Sequence, residues 1–88
     1  MIRTDYYTES EKREMKKMAK TALEDVLGLS AGLEHIKPME CSYNSELRRW
    51  DYVMFRIDRN PYAEYVATYT EWDGYRITIV RGNNTVRF

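Results

Sequence analysis

The stretch "YAEYVATYTEWDGYRITIV", residues 62–80, consists of two alternating runs joined by Asp73-Gly74. That dipeptide between alternating residues is a strong two-residue hairpin signal, because both positions tolerate the positive φ of a type I′ turn. It sets Trp72 opposite Tyr75, Thr70 opposite Ile77 and Thr68 opposite Ile79, and directly opposed residues share a face. "Asp58-Arg59-Asn60-Pro61" reads as the preceding turn, pairing Ile57 with Tyr62 and Val53 with Val66. "Asn83-Asn84" reads as the following one, pairing Arg81 with Val86 and Ile79 with Phe88.

The three turns agree on one apolar face: Val53, Phe55, Ile57, Val66, Trp72, Tyr75, Ile77, Ile79, Val86 and Phe88. Glu64 falls opposite Phe55 on this face and fits poorly, so it lies beyond the helix edge or the turn before it is one residue out. The other face then carries Tyr52, Met54, Arg56, Tyr65, Ala67, Tyr69, Glu71, Arg76, Thr78, Val80 and Arg87. A further strand around "KPMECSY" precedes "RWDYVMFRI", but the loop "NSELRR" does not define its register.

Upstream, "ESEKREMKKMAKTALEDVL" repeats Met15, Met18, Ala19, Ala22, Leu23, Val26 and Leu27 at the spacing of one helical face. Thr8 and Glu11 form a capping-box pair at its start, and Gly28 is placed to end it. Its opposite face is cationic in the first half, with Lys12, Arg13, Lys16, Lys17 and Lys20. Glu9 and Arg13 have the spacing of an ordinary solvated pair, and such a stripe is usually solubility alone. The expected fold is α+β: a single domain over 1–88, with a helix at about 9–27 packed on a four- or five-stranded antiparallel meander. Its strands are expected at about 36–43, 50–58, 62–72, 75–81 and 85–88.

Composition bounds the function classes. The chain of 88 residues is 43% hydrophobic and 32% charged, an ordinary globular mixture, and it has room for one modest core. Fourteen basic residues balance fourteen acidic ones, so no net charge draws it to nucleic acid or membrane. Its single cysteine, Cys41, excludes an internal disulfide and a cysteine-built metal site. The polar start "MIRTDYYTESEKREMKK" lacks the apolar run of a signal peptide or membrane span, which gives the expectation of a cytoplasmic protein without membrane attachment.

With one helix, the second sheet face stays uncovered. Tyr52, Met54, Arg56, Tyr65, Tyr69, Arg76 and Arg87 make it the expected partner-binding surface, since tyrosine and arginine dominate the energetic centres of protein interfaces. The bland reading is that tyrosines favour strands and shield a sheet from water. The terminal "TVRF" offers a second surface, an edge strand that a partner can extend. The leading expectation is therefore a non-enzymatic inhibitor or adaptor that binds a protein, with homodimerisation through the same face as a further outcome. Base rates for compact, motif-less chains of this length point to phage- or mobile-element-encoded inhibitors, anti-CRISPR proteins among them.

A module for single-stranded nucleic acid is the first alternative, with rings stacking bases and arginines meeting phosphates. A small enzyme using His35 and an acidic residue is the second. His35 is the sole histidine, and Cys41 reads as a small buried residue without basic neighbours. "GLSAG" has neither the preceding strand nor the lysine of a phosphate loop. No cofactor or metal is expected.

Overall fold

The computed structural model describes residues 2–88. A two-residue strand β1 (Ile2–Arg3) leads through a 3-10 turn (Thr4–Tyr6) into helix α1 (Glu9–Ala22), whose last turn widens to π geometry over Leu23–Leu27. Thr8 accepts the Glu11 amide at 3.1 Å while the Glu11 carboxylate accepts the Thr8 amide at 2.9 Å, the reciprocal cap that the sequence predicts. Gly28 ends the helix at φ 66°, a conformation that would strain any side chain. Its amide bonds to Glu24 O, and Leu29 N–H reaches Leu23 O.

After a 3-10 turn (Leu33–His35) come β2 (Ile36–Asn44), β3 (Arg49–Ile57), β4 (Asn60–Thr70), β5 (Gly74–Arg81) and β6 (Asn84–Arg87). All neighbours pair antiparallel in the order β1 to β6, so five full strands form a meander with β1 added at one edge. The helix lies across one face and seals Met15, Met18, Ala19, Ala22 and Leu23 against it, with Val26 and Leu27 half-buried. Complete burial of Met15 and Leu23 contributes about 1.5–3 kcal/mol apiece. The alanines contribute little area; their role is to let helix and sheet approach.

The register of β4 differs from the sequence expectation, and that changes its face. Thr70 pairs with Gly74, so Glu71, Trp72 and Asp73 form a three-residue loop rather than Asp73-Gly74 a two-residue turn. Gly74 supplies the left-handed residue, at φ 68°, that such a loop needs. On the other side Ile57 pairs with Asn60, leaving Asp58-Arg59 as the tight turn in place of the four-residue one. A register shift between Phe55 and Ile57 follows that turn, and with it Tyr69 faces Tyr75, Ala67 faces Ile77 and Val53, and Tyr65 faces Ile79 and Phe55.

The helix-covered face of β4 is Ala63, Tyr65, Ala67 and Tyr69, not Glu64 and Val66. This arrangement satisfies two constraints. Alanines at 63 and 67 leave space under the helix, and Glu64 moves out to meet Arg56 at 3.0 Å. Trp72, expected in the core, sits on the loop and is 94% exposed. The faces of β3 and β5 match expectation, with Val53, Phe55, Ile57 and Ile77 buried.

Candidate functional site

The uncovered face is built from side chains aligned across the strands. Met54, Val66 and Thr78 form one row, and Tyr52, Thr68 and Arg76 form the next. Of the seven residues expected to bind a partner, Tyr52, Met54, Arg56, Arg76 and Arg87 lie on this face. Tyr65 and Tyr69 do not. Tyr65 is 5% exposed on the helix side, stacked on Phe55 with centroids 5.4 Å apart and its hydroxyl accepting from Asn60 at 3.1 Å. Tyr69 packs edge-on to Tyr75 at 5.0 Å on that same side.

What remains in the open is mainly threonine, valine and methionine. Arg56 is held by Glu64, and Arg76 lies 3.7 Å from Asp73. This is the composition of a solvated antiparallel face, and of the rings expected to bind there only Tyr52 remains on it.

The two sheet edges are unlike. Beyond β1, the outer side of β2 carries Lys37, Pro38 and a register shift between Pro38 and Glu40, all features that discourage further pairing. β6 carries Arg87 but neither a proline nor a register shift. Phe88 N–H donates to Ile77 O at 2.8 Å, and the antiparallel alternation then sets Val86 against Ile79 as the next mutually bonded pair. The backbone groups of Thr85 and Arg87 consequently point away from β5. Val86 and Phe88 project on the helix side beyond the reach of α1, 50% and 47% exposed. With Ile79 they line a groove of about 500 Å³ that ends at Arg81 and Asn84.

The helix cations are largely answered locally. Lys12 lies 3.6 Å from Glu9, Lys17 3.4 Å from Glu14, and Lys20 3.6 Å from Glu24 with Ala31 O at 2.9 Å. The expected partner of Glu9, Arg13, is replaced by Lys12 at the shorter spacing. These solvated pairs contribute little, but they remove most of the stripe's free charge.

His35 lies 3.5 Å from both Glu34 and Asp58 at the surface, whereas Cys41 is sealed in the core, so the two do not share a site. Among the described residues, no cluster of three or more histidine, cysteine or acidic side chains is placed to hold a metal ion, and no helix is long and apolar enough to cross a membrane.

Burial pushes the Cys41 thiol above its ordinary range, opposed in part by a hydrogen bond with Tyr7. The Tyr7 hydroxyl is likewise raised, by desolvation and then by Cys41, and Tyr52 is raised by burial and by Glu40. An acid whose folded pKa is raised ionises first in the unfolded chain, so its stabilisation is complete below the unfolded value and declines above it. Melting temperature is therefore expected to fall as pH climbs past about 8.5, where unfolded thiols ionise, and again near 10 for the tyrosines. A Cys41→Ser variant should lose the first part of that decline. In the folded wild type, Cys41 should react with thiol reagents only at the rate of unfolding. Rapid labelling under native conditions would place it at the surface.

The β2–β3 hairpin holds a group that the sequence did not resolve. Asn44 Oδ1 accepts the amides of Glu46 and Leu47, and Arg48 closes the loop in the left-handed region at φ 55°. A second register shift, between Ser42 and Tyr43, then brings Trp50 round beside Tyr7 and Tyr43, with centroids 5.1 and 4.9 Å away. Arg49 reaches across the sheet with its Cζ 3.6 Å above the Tyr69 ring and 5.0 Å from that of Tyr75, whose hydroxyl accepts from Nη2. The adjacent "RRW" was the available signal, but without a register it had no place in the sheet.

The chain matches no family model, and no curated protein or solved structure is significantly similar to it.

Proposed function

We propose that this chain is a non-enzymatic protein-binding module, of inhibitor or adaptor type, that accepts an extended segment of a partner protein beside β6. The observation that carries the reading is the contrast between the edges: β2 is guarded, while β6 leaves the Thr85 and Arg87 backbone groups unpaired next to half-exposed Val86 and Phe88. Strand addition of this kind draws affinity from main-chain hydrogen bonds and selectivity from the pockets for alternate side chains. The Ile79–Val86–Phe88 groove supplies an apolar pocket on one side. Thr85 and Arg87 line the other, continuous with the open face.

The nucleic-acid reading has less to stand on once Tyr65 and Tyr69 leave the open face. The enzymatic reading has only a surface histidine between two carboxylates. A phage or mobile-element origin, anti-CRISPR function included, rests on base rates alone, and no residue adds to it.

The test compares wild type with Thr85→Pro in affinity capture from native lysate, with nuclease treatment. Proline at 85 removes an outward-facing N–H and leaves the ladder to β5 intact, so the melting temperature should change little. Nuclease-resistant protein partners should be captured by wild type and lost with the variant. Self-association measured by ultracentrifugation reports the case in which the added strand is β6 of a second copy. Equal capture by both chains would reject the edge as the binding site.

A further inference from the structure

A cleft of about 370 Å³ lies between α1 and the β2–β3 hairpin, within the size range of small-molecule sites. Its charged lining is Glu14, Lys17, Arg48 and Arg49, and its flat walls are Tyr43, Trp50 and Tyr75. Lys17 and Glu14 answer one another at 3.4 Å. Neither arginine has a carboxylate within ion-pair distance among the described residues, and the Nε of Arg49 is shut away from solvent with no acceptor. Two tyrosine rings and one hydroxyl compensate part of the lost hydration of this guanidinium, but no carboxylate among the described residues neutralises it.

In a chain with as many acidic as basic residues, two guanidinium groups without a carboxylate at one cleft are a local concentration. They are not a by-product of general basicity.

We propose that this cleft binds a phosphate monoester carried on a planar group, with Arg48 and Arg49 as its counter-charges. The charge count selects the ligand: a phosphate monoester carries about −1.5 to −2 at pH 7, whereas a single carboxylate leaves one arginine unanswered. Guanidinium forks match phosphate oxygens in pairs, a geometry that lysine does not offer. The rings of Tyr43, Trp50 and Tyr75 give a planar substituent faces and edges to pack against. Arg48 is kept close by its φ of 55°, which turns the chain at the mouth of the cleft. The site is separate from β6, so binding here stands or falls independently of strand addition.

The experiment uses the full chain with Trp72→Phe, which leaves Trp50 as the one emitting tryptophan; Trp72 is 94% exposed on a loop. Adenosine monophosphate and phenyl phosphate are titrated beside adenosine and phenol, following Trp50 emission. At least one ester should bind in the millimolar range or tighter, at least about tenfold more tightly than its uncharged counterpart, and more weakly as salt is raised. The better ester tells a nucleotide base from a phosphorylated tyrosine as the planar group.

Arg48→Gln is expected to weaken binding about tenfold or more while the melting temperature holds, since Arg48 is exposed. Arg49→Lys should weaken it as well. As it removes the ring stack and risks the fold, the readout there is the Arg49 Nε–Hε resonance of the unsubstituted side chain, which should shift on ester binding. Absence of binding by either ester, equal affinity for the uncharged counterpart, or full affinity in Arg48→Gln would overturn the proposal.

Discussion

Tyr65→Ala is expected to destabilise the domain by about 3–5 kcal/mol, as much as Ile77→Ala at about 2–5. Tyr65 is 5% exposed, stacks on Phe55 and lies opposite Ile79, so its removal opens a ring-sized cavity directly under α1. A domain of this size has roughly 5–10 kcal/mol in total, and each kcal/mol moves its midpoint by about 4–8 °C. The variant should therefore melt at least ~12 °C lower or fail to fold. Tyr65→Phe keeps the ring and loses only the hydroxyl bond from Asn60, a change of about 0.5–1.5 kcal/mol. Val66→Ala, on the uncovered side of the same strand, should fall well below the Tyr65→Ala loss. Paired melts of these variants separate the two possible faces of β4: a stable Tyr65→Ala beside a collapsed Val66→Ala would reverse the register.

Ala22→Asp should have an effect as large or larger. Ala22 is fully buried where α1 meets the sheet, with Met18, Ala19 and Leu23 beside it. An aspartate there would bring an unpaired carboxylate, three heavy atoms beyond the methyl, into a space closed to solvent. The penalty is several kcal/mol, enough to unfold the chain near neutral pH. Val26→Asp, one turn on in the π segment, should be milder, because Val26 is half-buried and its carboxylate can reach solvent. Circular dichroism of the two variants should show lost helix and sheet for Ala22→Asp and a folded, less stable Val26→Asp. An unchanged melt for Ala22→Asp would mean that α1 does not dock through this face.

The helix was legible because its signals are local. Apolar spacing, the Thr8–Glu11 cap and Gly28 all report on the same few turns of chain, and no tertiary choice alters them. The faces of β3 and β5 were legible by alternation alone. The face of β4 was not, because it depends on a loop length the sequence left ambiguous and on a register shift with no local signature. Asp73-Gly74 fits a two-residue turn, but Gly74 also suits the end of a three-residue loop, and the loop keeps Trp72 out of the core. At the other end Asp58-Arg59 shortens the turn by two residues, which preserves the face, and the register shift between Phe55 and Ile57 then changes it. That shift and the longer loop at 71–73 have the same parity effect, so the three turns agreed with one another while β4 was inverted.

The discordant residue was Glu64, whose carboxylate beside Phe55 marked the β3–β4 register as one residue out. Tyr65 and Tyr69 were misplaced for the same reason as Glu64. Arg48 and Arg49 have no place in the sequence reading for a different reason: Arg48 ends a loop and Arg49 follows it, and the β2–β3 ladder they lead into carries two register shifts with no local signature.

Central to the functional account is a β6 whose outer backbone groups are free. Amide hydrogen exchange on the isolated chain tests this directly. The amides of Val86 and Phe88 should be protected by β5, those of Thr85 and Arg87 should exchange rapidly, and the latter two should slow when a captured partner binds. Protection of all four amides in the monomer, or Thr85 and Arg87 amides that stay fast in the complex, would contradict strand addition at this edge.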